Sequence, residues 1–128
     1  MSGLSKAYLD AMGKIEKKVE EACKKAGHEK IRVIYSSYGF DEFDTPIDNL
    51  NEVPIRGKAI FKDQGNFWEG IEDTRNYKPF KKEMNSPTWL EIAVAANEMI
   101  ISTNDYHHVY LEDIRFDDEN DVLIVMGS

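Results

Sequence analysis

Apolar positions along the chain fall into two helical runs and several shorter, strand-like ones. The most apolar run, SPTWLEIAVAANEMIIST, opens on Ser86 and Pro87. Serine can accept a hydrogen bond from an orphan backbone N–H, and proline suits the first helical position, where no donor is needed. The run therefore predicts a helix from Pro87 to about Thr103. At about 100° per residue, Glu91, Glu98 and Ser102 share one narrow stripe with Ala95. Trp89, Leu90, Ile92, Ala93, Val94, Ala96, Met99, Ile100 and Ile101 occupy nearly all the rest. A helix this apolar must be covered from more than one side, by a sheet and by a second helix or another subunit. Asn97 falls inside the apolar arc, where its amide needs partners; a structural hydrogen bond outweighs a ligand contact.

Leu4 to Ala26 has a single stripe, formed by Tyr8, Met12, Ile15, Val19, Ala22 and Ala26. That spacing predicts an amphipathic helix, stopped by Gly27 and packed on the sheet or on the central helix. Ile31–Tyr38 and Ile55–Lys62 read as strands, the second with a bulge at Gly57. Between them, Gly39–Pro54 is acidic and proline-punctuated, a long loop whose Phe40, Phe43, Ile47, Leu50 and Val53 should pin parts of it down. Phe67-Trp68 reads as a hairpin strand and Asp73–Pro79 as a loop leading to Lys81 and Lys82. Asn104-Asp105 closes the central helix with residues that tolerate a left-handed turn. Tyr106 to Phe116, and Asn120 or Asp121 to Met126, follow as a hairpin joined by the acidic run at 117–121. That run lacks the alternating oxygen ligands, glycine and closing glutamate of a calcium-binding hand, so it reads as a turn.

At 128 residues, one α+β domain spanning residues 1–128 is expected. Sequential hairpins favour an antiparallel sheet of four or five strands, with the two main helices packed on one face. No apolar run approaches membrane-spanning length, the start of the chain shows no apolar leader, and Cys23 has no second cysteine to pair with. A cytoplasmic location is the expectation. Formal net charge is −8, and the acids concentrate after residue 30, where nineteen of them meet nine basic residues. An acidic body repels phosphates and membrane surfaces, which disfavours nucleic acid and membrane and suits a basic partner.

His107 and His108 are the obvious chemical candidates. Adjacent strand residues point to opposite faces, so the two cannot easily share a metal, and no zinc-ligand spacing occurs elsewhere. Tyr106, His108, Tyr110 and Glu112 share one face, a row of polar-tipped rings ending in a carboxylate. His108 and Glu112 stand about 13 Å apart by strand rise, too far for a direct hydrogen bond without a bend. Nucleophile elbows and glycine-rich phosphate loops are absent from the sequence. Cys23 lies near the end of its helix, the wrong end for lowering a thiol pKa, and reads as a buried thiol.

The composite expectation is a non-catalytic, acidic binding protein with no cofactor and no metal. It would self-associate, as a homodimer, and engage a basic protein or a small molecule through aromatic strand and loop surfaces. Tyr106, His107, His108, Tyr110, Trp68 and Asn97 are the candidate ligand or interface residues. An immunity- or antitoxin-like role against a basic protein is one concrete form, resting on charge. The alternative is a small enzyme with acid–base chemistry from His108, Tyr110 and Glu112 in a cleft over the sheet.

Overall fold

The structure, a computed structural model, describes residues 6–64 and 78–128. Within them the chain runs α1 (Lys6–Lys25), β1 (Ile34–Tyr35), β2 (Gly39–Phe40), β3 (Pro46–Ile47), β4 (Lys58–Lys62), β5 (Lys81–Asn85), α2 (Trp89–Thr103), β6 (Tyr110–Phe116) and β7 (Val122–Gly127). Five strands form one sheet in the order β1-β6-β7-β4-β5, and β2 and β3 form a separate two-stranded ribbon. Phe67, Trp68 and most of the expected loop at 73–79 lie outside the described residues.

The sheet is mixed, which corrects the antiparallel expectation. Hairpin pairing holds for β4–β5 and β6–β7, but β1 runs parallel to β6 and β4 parallel to β7. The two hairpins are joined side by side through β7, so a strand's neighbour in space is not always its neighbour in sequence. β5 falls where sequence reading placed a connection. Its Lys81, Lys82 and Glu83 are exposed and only Met84 is half-buried, so no apolar alternation marks it. A charged outer strand of this kind discourages further pairing.

Both helices contribute to one core cluster with the sheet. From α1 come Ile15 and Val19, the middle of the expected stripe, and Cys23 beside it, while Ala22 is half-buried and Ala26 exposed. From α2 come Trp89, Ile92, Ala93, Ala95, Ala96, Met99 and Ile100. Ala95 is therefore core and does not belong with the polar stripe; Ile101 is exposed in its place. The sheet supplies Phe61, Leu111, Val122, Ile124 and Met126, all buried. Alternate residues of β7 are buried, as the period of two requires. α1 packs against α2, and so gives the central helix the second cover its apolar circumference needs. α1 ends as foreseen: Gly27 takes φ +89°, with the Gly27 and His28 N–H groups donating to the Lys24 and Cys23 carbonyls at 3.0 Å each.

The start of α2 differs from expectation. Thr88, not Ser86, is the cap: its Oγ1 accepts from the Glu91 N–H at 3.2 Å, and the Glu91 carboxylate accepts from the Thr88 N–H at 3.0 Å. Ser86 is engaged elsewhere. It sits at φ +47°, donates its N–H to the Gly57 carbonyl at 3.0 Å, and accepts the Gly57 N–H on Oγ at 2.8 Å, closing the end of the β4–β5 hairpin. Gly57 itself has φ +90° and precedes β4, so it shapes the turn and not a bulge within the strand.

Candidate functional site

The expected histidine strand begins later than its residues suggested. β6 starts at Tyr110, and His107 and His108 lie in the turn before it. Asp105 holds that turn: one carboxylate oxygen accepts the His107 N–H at 3.1 Å, and the other lies 2.8 Å from His108 Nδ1. A short acceptor side chain that bonds the backbone two residues on competes with strand pairing, which explains the delay. The strict alternation of faces assumed for residues 106–112 therefore fails. Tyr106 lies under the Arg32 guanidinium, 5.8 Å from its ring centre, at a shallow depression shared with Val109. Tyr110 is partly exposed at the strand's beginning. The pairing of β6 with β7 slips between Leu111 and Asp113, and the intervening Glu112 lays its carboxylate over Gly127, where a Cβ would meet Oε1 at 2.3 Å. His108 thus turns to Asp105 and Glu112 to Gly127, two different neighbours.

Asn97 is fully buried and completely bonded. Its Oδ1 accepts the Arg32 and Val33 N–H groups at 2.6 and 3.1 Å, and its Nδ2 donates to the Lys30 carbonyl at 2.8 Å and to His28 Nδ1 at 2.9 Å. It ties the approach to β1 onto α2. Cys23 is buried as well, and burial pushes its thiol up to about 11, away from a reactive thiolate.

The acidic turn between β6 and β7 gathers Asp117, Glu119 and Asp121, whose carboxylates lie within 4.8 Å of one another. Lys62 occupies their centre, with Nζ 2.5 Å from Asp117, 3.2 Å from Asp121 and 3.9 Å from Glu119. The hydrogen bond to Asp117 raises the Lys62 pKa, and the same bond holds the Asp117 carboxyl below its ordinary range. Asp117 Oδ1 also accepts the Glu119 and Asp121 N–H groups at 2.9 Å each. The protein's own ammonium group offsets part of the charge of the three acids, chiefly that of Asp117 and Asp121.

Among the described residues, the most exposed large apolar side chain is elsewhere. On the β2–β3 ribbon, Phe40 is 53%, Phe43 78% and Ile47 46% exposed. Of the five residues expected to pin parts of the 39–54 segment down, Leu50 does so, fully buried, and Val53 is half-buried, whereas these three face solvent. The tip is nonetheless ordered by local chemistry. Asp41 Oδ1 accepts the Phe43 and Thr45 N–H groups at 2.8 and 2.9 Å, the Asp41 N–H donates to the Thr45 carbonyl at 3.0 Å, and Asp44 turns the chain at φ +59°.

The base of the ribbon is anchored at several points. The Tyr35 hydroxyl donates to Asn49 Oδ1 at 2.5 Å while Asn49 Nδ2 donates to the Ser37 carbonyl at 2.8 Å. Burial raises the Tyr35 pKa far beyond its usual value, more than the Asn49 bond lowers it. Lys18 of α1 pairs with Asp48. Burial raises the Asp48 carboxyl, but the Lys18 bond and the Leu50 N–H outweigh it and hold the group below its ordinary value. The Trp89 and Leu90 N–H groups of α2 donate to the Glu52 and Leu50 carbonyls at 2.9 and 3.0 Å. Tyr38 packs edge-on to Phe40, ring centres 5.4 Å apart, with its phenol pushed up to about 12, chiefly by burial. Acids Asp41, Glu42 and Asp44 flank the exposed rings.

Among the described residues no helix is long and apolar enough to cross a membrane. Comparison with protein-family models, curated proteins and solved structures finds no match to this chain.

Proposed function

We propose that the chain is a non-catalytic, self-associating binding protein that engages a basic protein partner through the tip of the β2–β3 ribbon. One observation carries the reading: Phe43 is 78% exposed on a turn whose backbone is fixed by the Asp41 carboxylate. Exposing a ring to water has no benefit to folding; burying it in a partner gains about 1.5–3 kcal/mol. A turn ordered beforehand avoids much of the entropy cost of docking. The neighbouring acids favour a partner with positive charge around an apolar pocket, and they would speed its approach.

The experiment is affinity capture with the wild-type protein and with Phe43→Ser, followed by titration of the captured protein with each. The expected result is a basic partner whose affinity drops at least about tenfold on Phe43→Ser, with binding weakened by salt. A partner bound equally by both forms would remove the ribbon from the interface.

A further inference from the structure

The two outer strands of the sheet are unlike. On β5, antiparallel pairing with its own copy centred on Lys82 or Glu83 sets that charge against itself, which is destabilising. At the other side β1 covers only the beginning of β6, pairing with Tyr110 and Leu111, and Ser36 N–H donates to the Leu111 carbonyl at 2.9 Å. Beyond that point, among the described residues, no strand pairs with the outer edge of β6. The Ile114 N–H donates to the carboxylate of Asp113, its own neighbour, at 2.8 Å.

We propose that two copies of the chain pair antiparallel through this edge of β6, about a two-fold axis at Ile114, an inference that rests on the self-association in the reading above. The sequence Asp113-Ile114-Arg115 is self-complementary in that register. Asp113 pairs with Val125 and Arg115 with Leu123 across β7, so both point to the same face of the sheet. Residues directly opposite in an antiparallel pair share a face. Asp113 therefore meets the partner's Arg115, and Arg115 the partner's Asp113, giving two ion pairs from one strand segment. The Ile114 N–H exchanges the Asp113 carboxylate for the carbonyl of the partner's Ile114, which frees Asp113 for its new counter-ion. On the other face Phe116, 60% exposed, gains the partner's Ile114 as a diagonal neighbour. The register slip at Glu112 ends the pairing before β1 obstructs it.

The test is sedimentation or light scattering of the wild-type protein, Asp113→Arg, Arg115→Asp and the charge-exchanged double variant, at up to about 100 µM. All of these side chains are exposed, and circular dichroism checks that each variant is folded. The wild type should show a species of twice the 14.7 kDa chain mass. Each single variant should weaken dimerisation at least about tenfold, because like charges then face each other at two places, and the double variant should recover it. A dimer indifferent to the single variants, or a double variant that fails to recover, overturns the β6 interface and leaves self-association standing. A wild type that stays at the chain mass throughout overturns both.

Discussion

The Nδ2 of Asn97 donates to Nδ1 of His28 across a distance of 2.9 Å, and the direction of that bond is determined by the rest of the amide. Two backbone N–H groups, from Arg32 and Val33, already point at the oxygen, so the nitrogen must be the donor on the other side. His28 consequently presents a lone pair at Nδ1 and carries its proton on Nε2. Asn97→Ala should cost about 3 kcal/mol, since it leaves two backbone donors and a carbonyl without their buried partner. Asn97→Asp keeps the acceptor but buries a charge and sets a second oxygen against the Lys30 carbonyl, so it should be comparably damaging. His28→Ala removes one bond of the set and should cost about 1 kcal/mol. Urea unfolding of the three variants checks the order; His28→Ala as harmful as Asn97→Ala would contradict the assignment of Asn97 as the centre of this network.

Thr88 and Glu91 bond to each other reciprocally at the start of α2. Thr88→Ala should lower stability by about 1 kcal/mol. The loss should be visible locally, as faster hydrogen exchange at the Glu91 amide, whose acceptor is removed. Unchanged protection there would show that the first turn is held by tertiary packing and not by its cap.

Lys62 and Asp117 define a pH window. Asp117 titrates below the ordinary 3.8 in the folded protein, so its contribution is complete above that value and disappears as pH falls through the lowered one. Lys62 titrates above 10.5, so its contribution is complete below that value and disappears as pH rises through the raised one. Between these limits Lys62→Met leaves three carboxylates facing one another. The thermal midpoint of that variant should fall relative to wild type at pH 7, and the gap should narrow in high salt or as pH falls well below 3.8, where the acids are screened or neutralised. A gap that stays constant from pH 7 through that acid range would mean that Lys62 acts through its aliphatic stem.

The elements legible in the sequence are those with local causes. Ile15 and Val19 mark the buried side of α1, Gly27 its stop, and Asn104 the left-handed end of α2 at φ +60°. Asn97 declared itself by being an amide in an apolar arc. The T-x-x-E signature at 88–91 was equally present, but Ser86-Pro87 is a stronger-looking start, and only the contact with distant Gly57 reveals that Ser86 has another task. The parallel pairing of Phe61 with Val122 has no local marker at all. Phe43 looks like an anchor as an apolar ring in an acidic loop, but the Asp41 bonds order the tip without any need for the ring. The two histidines drew attention through their chemistry, whereas the short side chain at 105 decides where they point.

The position of β7 has a consequence for synthesis. This strand separates β6 from β4, and the β4–β5 hairpin leaves the ribosome long before Val122 does. Until then the inner edge of β4 has no companion, and Phe61 lacks the side chain it finally rests beside. Contacts so distant along the chain close slowly, because the intervening loop must first lose its freedom. The nascent protein therefore passes through a stage with an unpaired strand and a bare apolar surface, the situation in which holding chaperones matter most.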